Sequence, residues 1–276
     1  MFGIERRRDL DARRDKQLLD VLSRKKSIPA LETLISGLGT TSLPDDIRTF
    51  AISLDASVFL RLATHDKSAD VIDYLKGPHE AGVILPGQSV QEFWNNRYNV
   101  VPSLARQLSK SFEDFSKQLD KLDGDFSVFK SKFEEIIEDF QTSHGHIFDE
   151  GTVNRTFQML ETLREVAVVP FVNRLQFEGL AAQRQMTKTP PGFRDKPGNN
   201  GDFYIWLDTL RGVQTLLRSR NGIKGLVFVT NDTKDDWSRD GTPHPILSAE
   251  LKAISELDLH IVDLKRFVSL VSNSAT

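Results

Sequence analysis

The sequence predicts an α/β fold, a three-layer α/β/α sandwich around a central parallel sheet of four or five strands, carrying a long helical insertion. Three observations predict it. Short, β-rich apolar runs recur at residues 50–54, 82–85, 225–230 and 259–262. Helical stretches separate each run from the next, which argues for parallel strands joined by crossover helices. The runs stop at turn formers or acids: Asp55, Pro86-Gly87 and Asn231-Asp232. No self-similarity at solenoid periods competes with this reading.

Taken in order, residues 1–48 read as an N-terminal helical arm in which Arg and Lys outnumber Asp and Glu. A solvated helix of mixed charge is preferred there over a phosphate-contacting arm. The turn Leu43-Pro44-Asp45-Asp46 leads into the first strand, Phe50 to Leu54. A helical pattern from Val58 to Lys76 splits around residues 64–67, and after the second strand a further helix holds Val90, Glu92, Phe93 and Trp94. Between Val101 and Phe140, apolar residues recur at alternating spacings of four and three, a seam for packing against another helix. Pro102 suits a helix start. Asp123-Gly124-Asp125 either breaks the seam into a hairpin or is absorbed, since one interior Gly costs only about 1 kcal/mol. A second helical stretch, Val153 to Arg184, is its packing partner, so residues 101–186 form an insertion within a domain spanning 49–272.

Composition narrows the chemistry. The 276 residues include no Cys, which excludes disulfides, thiolate zinc sites and cysteine nucleophiles. A net charge of −3 offers no global attraction for polyanions, so any phosphate partner needs local cations or bound metal. No apolar run approaches the ~20 residues of a membrane span, and the composition suits a reducing cytoplasm.

The carboxylates fall at informative places. Asp55 ends the first strand, Glu92 lies on the helix after the second, Asp232 ends the third, and Asp202 opens the helix before it. In an open parallel sheet these ends share one edge, where ligands bind. Four converging acids repel unless a cation neutralises them, and carboxylate oxygens suit Mg2+ or Mn2+. Singly, each acid is better explained as structural, for instance as a helix N-cap; the combination is what favours a site. Ser57, Thr230 and Asn231 stand where they could hold a phosphate or a metal-bound water, and Arg194 and Lys196 lie in the Pro- and Gly-rich loop before Asp202. Trp206 is placed inward by its helix spacing. A phosphohydrolase with a nucleophilic Asp at its first strand end would want a second Asp two residues on, where Ser57 stands.

The segments Ile52-Ser53-Leu54-Asp55-Ala56-Ser57, Leu85-Pro86-Gly87-Gln88-Ser89-Val90-Gln91-Glu92-Phe93, Pro190-Pro191-Gly192-Phe193-Arg194-Asp195-Lys196 with Gly201-Asp202, and Val227 through Trp237 together resemble the PIN-like domain family, in a bacterial branch with a helical insertion. The resemblance implies a metal-dependent endonuclease acting on single-stranded nucleic acid, RNA more often than single-stranded DNA, with Mg2+ or Mn2+. By carry-over Asp55, Glu92, Asp202 and Asp232 are the ligands, with Asp235 or Asp236 as a further acid. Relatives serve as toxins of toxin–antitoxin pairs, in RNA processing and in phage defence, which makes an inhibitor protein a partner to expect. The insertion offers a surface for a homodimer or a partner protein. Ala56 and Ser57 stand where many relatives have Thr and Asn, which keeps open a second reading, a PIN-like module that binds nucleic acid or protein without cutting.

Overall fold

A computed structural model of the protein describes residues 2–38, 43–119 and 150–274, with a few positions between 129 and 136. Its centre is a five-stranded, wholly parallel sheet of order β3-β2-β1-β4-β7: β1 is Phe50–Leu54, β2 Val83–Ile84, β3 Ala167–Val168, β4 Gly225–Val229 and β7 Asp258–Val262. The central strands β1 and β4 are buried on both faces, as parallel strands between helical layers must be. Their side chains alternate accordingly. Ala51, Leu226 and Phe228 face one core, while Phe50, Ile52, Leu54, Val227 and Val229 face the other.

On the first face lie α1 (Phe2–Leu22), α7 (Arg174–Met186), α8 (Gly201–Ser219) and α9 (Pro245–Ser255). On the second lie α3 (Ala56–Ala63), α4 (Ser68–Lys76), α6 (Glu150–Leu163) and α10 (Leu264–Ser274), joined by Phe93 from α5 (Gly87–Leu119). The α/β/α sandwich expected from the sequence is therefore the fold. The short α2 (Ala30–Leu38) packs on α9, and a two-stranded ribbon, β5 (Ser238–Arg239) with β6 (Thr242–Pro243), follows β4. The N-terminal arm is docked: Leu18, Val21 and Leu22 of α1 are buried in the first core.

Two local expectations need correction. The stretch Val153 to Arg184 is not one helix. It is α6, the edge strand β3 and α7, with Leu85 N–H bonding to Val168 O at 3.0 Å to hold the edge. Pro102 does not start a helix either, because α5 runs through it from Gly87 to Leu119; a long amphipathic helix absorbs the one hydrogen bond a proline removes. Phe115 and Phe133 meet edge to face at 4.5 Å, so two of the seam's positions pack together. The Asp123-Gly124-Asp125 break and the last seam position, Phe140, lie outside the described residues.

The strand order places the site. From β1 the chain moves outward through β2 to β3, then returns to lay β4 on the other side of β1. The connections leaving β1 and β4 diverge, opening a crevice at their carboxyl ends, where Asp55 and Asp232 stand.

Candidate active site

Asp55 follows β1 as the N-cap of α3, and its carboxylate is held from three sides. Its Oδ1 accepts from Ala56 N–H at 2.7 Å, while Oδ2 accepts from Ser57 Oγ at 2.7 Å and Thr230 Oγ1 at 2.8 Å. The Thr230 hydroxyl also accepts from Asp232 N–H at 3.0 Å, and Ser57 Oγ accepts from Asn231 N–H at 3.0 Å. These bonds lace the end of β1 to the end of β4. Asn231 continues the lacing, its Oδ1 accepting from Leu264 N–H at 3.3 Å. The hydroxyl of Ser57 thus supplies the hydrogen bond that the Ala56-Ser57 pair had left in question.

Asp232 and Asp202 meet through Lys234. The ammonium donates to Asp202 Oδ2 at 2.6 Å and Asp195 Oδ1 at 2.7 Å, and lies 2.9 Å from Asp232 Oδ2. Three donors meet three carboxylates. Asp202 is fixed again by the indole of Trp237, whose Nε1–H lies 3.2 Å from the same Oδ2. Trp237 is itself buried, stacked on Phe228 of β4 at 4.6 Å.

Glu92 closes the group from α5. Gly201 presses against it: a Cβ at that position would collide with Glu92 Oε1, which is a physical reason for Gly before Asp202. Gln88 Nε2 donates to Glu92 Oε1 at 3.1 Å, and Gln88 is in turn anchored, its N–H bonding at 2.9 Å to the fully buried Asp208. Arg174 grips the same Asp208 through two bonds of 3.0 and 2.8 Å. The first turn of α5, and with it Glu92, is therefore positioned by the ion pair between Arg174 of α7 and the buried Asp208 of α8.

The electrostatics follow from five neighbouring acids, three of which contact the one lysine. Burial pushes the Asp55 carboxyl above the usual range; its hydrogen bonds oppose this and the Asp232 charge adds to it. Glu92 is raised by burial and by the charges of Asp55 and Asp195. Asp202 is raised by burial in spite of Lys234, with Asp195 and Asp232 adding to the shift. Burial alone would lower Lys234, but its three carboxylates overcome that and hold it protonated.

The remaining expected site residues divide. Thr230, Ser57 and Asn231 belong to the cluster. Asp235 does not, because it faces solvent in a bidentate pair with Arg194 at 2.8 and 2.7 Å. Asp236 is fully buried and accepts from Gly192 N–H at 2.9 Å and Arg194 N–H at 3.2 Å, which shapes the loop carrying Asp195. Lys196 is exposed on that loop, and its described bonds run through its carbonyl. Reasoning from strand ends missed Asp195 and Lys234. Both lay inside the quoted segments, but a lysine among acids carries no signal until the fold shows what surrounds it.

The family model for the PIN like domain matches residues 51–248, more than half of the chain. The chain belongs to the PIN-like domain family. No curated protein and no solved structure matches it. The match begins in β1 and ends in α9, so it takes in Asp55, Glu92, Asp195, Asp202, Asp232 and Lys234 together. PIN-like domains have a nuclease-type fold, and this one gathers its acids at the sheet edge where that fold places ligands. Among the described residues, no three acids or histidines stand close enough to enclose a metal ion as the side chains lie, and no helix is long and apolar enough to cross a membrane. The donors nevertheless fit a hard divalent cation. They are all carboxylate oxygens, they carry surplus negative charge, and a cationic ammonium already sits between three of them.

Proposed function

We propose that this PIN-like domain is a metal-dependent endonuclease that hydrolyses phosphodiester bonds of single-stranded nucleic acid, with RNA the favoured substrate. The observation that supports it is the imbalance of five clustered carboxylates against one lysine. Asp55, Glu92, Asp202 and Asp232 would hold Mg2+ or Mn2+, with Asp195 beside them. A divalent cation bound there supplies an activated water and charge neutralisation at the phosphate.

The chain's own groups prepare that chemistry. Ser57, Thr230 and the Ala56 N–H occupy both oxygens of Asp55 and so fix the direction in which its remaining lone pairs point. Trp237 does the same for Asp202, and Gln88 for Glu92. Lys234 pairs with three of these acids, and its ammonium would offer positive charge to a phosphate held at the cluster, where it would favour the extra negative charge of the transition state.

The test is cleavage of labelled single-stranded RNA by purified protein with Mn2+. Wild type is expected to cut, and Asp55→Asn to lose at least about a hundredfold in rate, the scale on which electrostatic contacts to the transition state act, while still unfolding cooperatively. One observation favours the rival reading of a non-cutting binding module: Lys234 already pairs with three of the acids. Binding of RNA without cleavage by wild type at any Mn2+ or Mg2+ concentration would select that reading.

A further inference from the structure

Two clefts open on either side of the acid cluster. One, of about 350 Å³, is lined by Ser57, Leu60, Glu92, Phe93 and Asn96; the other, of about 710 Å³, by Thr230, Asn231, Asp232, Asp263 and Arg266. Both lie within the roughly 300–1,000 Å³ typical of ligand sites. A single side chain lines both, Arg61.

Arg61 lies on α3 one helical turn after Ser57, so both project from the same face of the helix that Asp55 caps. It is exposed. Three other cations around the cluster are engaged: Lys234 by three acids, Arg194 by Asp235, and Arg266 by Asp45 at 3.8 Å, while the exposed Lys196 lines neither cleft. The Arg61 guanidinium has no hydrogen-bonding or ionic partner among the described residues, where the recorded bond to this residue is to its carbonyl. A bare guanidinium beside surplus carboxylates is badly placed for a metal and well placed for a phosphodiester, whose oxygens match its fork.

We infer that Arg61 is the phosphate clamp of this site, gripping the backbone of a single strand that runs from the larger cleft past the acids into the smaller one. The smaller cleft, walled by Leu60 and Phe93 and edged by Asn96, receives a base on one side of the scissile bond. The larger cleft receives the strand on the other side. This rests on the proposed nuclease reading and adds the path of the substrate to it.

The test measures binding of a fluorescein-labelled single-stranded RNA by anisotropy across a salt series, in the Asp55→Asn background with Mn2+ present. Adding Arg61→Ala is expected to weaken binding about tenfold, within the affinity change a charged phosphate contact carries, and to make the slope of log K against log salt shallower by about 0.7, the value for one phosphate contact on a single strand. Arg61→Lys should recover part of the affinity, since it keeps the charge and loses the fork. Arg48→Ala, which removes a cation from the loop before β1 at the other end of the sheet, should leave binding unchanged. Unfolding of Arg61→Ala should match that of its parent, because the side chain is exposed and unpaired. Unchanged affinity and slope for Arg61→Ala, or an equal loss with Arg48→Ala, overturns the clamp. If wild type cuts RNA while Arg61→Ala binds normally, the clamp alone fails. If wild type neither binds nor cuts, the nuclease reading fails and the clamp with it.

Discussion

The molecule buries acids in two ways, and the difference separates structure from chemistry. Glu250 on α9 and Asp208 on α8 are fully buried and fully matched. Glu250 takes Arg184 at 2.7 Å, Arg24 at 2.7 Å and the Trp206 indole at 2.9 Å, and so ties the turn after α1 to α7, α8 and α9. Asp208 takes both arms of Arg174 and two backbone N–H groups. At the carboxyl edge of the sheet, Asp195, Asp202 and Asp232 share one ammonium, and Asp55 and Glu92 beside them have no ion-pair partner among the described residues. Balanced acids are joints. Unbalanced acids are what the proposed cation site is built from, and their surplus charge supports that reading even though Asp55 also caps α3.

The largest effect should come from breaking a joint. Glu250→Ala leaves the buried Arg184 guanidinium without its carboxylate, and breaking one side of a buried pair costs about 3–5 kcal/mol. Urea unfolding should show that loss with or without divalent metal. A loss below about 1 kcal/mol, the scale of an exposed ion pair, would mean that the pairing is not what secures the first core and would undo the contrast.

At the unbalanced site the sign reverses. Because the folded state raises Asp202, its proton stabilises the fold at low pH, and that contribution is lost as pH rises from the ordinary carboxylate value near 3.8 through about 7. Asp202→Asn removes the titration. Without metal, the variant should therefore gain on wild type as pH climbs through that window, by up to a few kcal/mol, the order of a shift of about three pKa units. Mn2+ at neutral pH should erase the gain by stabilising wild type alone. Comparing the two proteins at each pH cancels groups they share, such as the buried His79, whose pKa burial lowers to about 4. A wild type that outlasts the variant at neutral pH without metal would show that Lys234 already balances the acids in full.

How much of this was legible in the sequence follows from the same physics. Strands β1 and β4 announce themselves because both faces are covered, leaving five consecutive apolar or small residues. Strand β3 does not, because it pairs over two residues at a half-covered edge and directly follows a helical pattern. The ligand candidates were legible because strand ends and the turn at Gly201-Asp202 fix where a side chain must emerge. Trp206 was rightly placed inward. Asp208, Glu250 and Lys234 were not legible, since each sits in a helix or loop whose local pattern is ordinary and depends on partners dozens of residues away.

The smallest effect is the sharpest test of position against charge. Asp232 and Asp235 lie three residues apart in one loop, and sequence alone ranks both as acids of the site. Geometry parts them: Asp232 joins Lys234 and the Thr230 hydroxyl, while Asp235 turns to solvent and pairs with Arg194. Exposed pairs of this kind contribute little to stability, since water and salt screen them. Asp235→Asn should accordingly leave the unfolding midpoint and RNA cleavage where they are in wild type, and it should free Arg194 rather than weaken metal binding. Titration of Mn2+ into Asp232→Asn and Asp235→Asn, side by side, separates the two. Weakened binding in the first alone is what an unbalanced cluster requires, whereas equal weakening would mean that charge near the site, and not its arrangement, draws the metal.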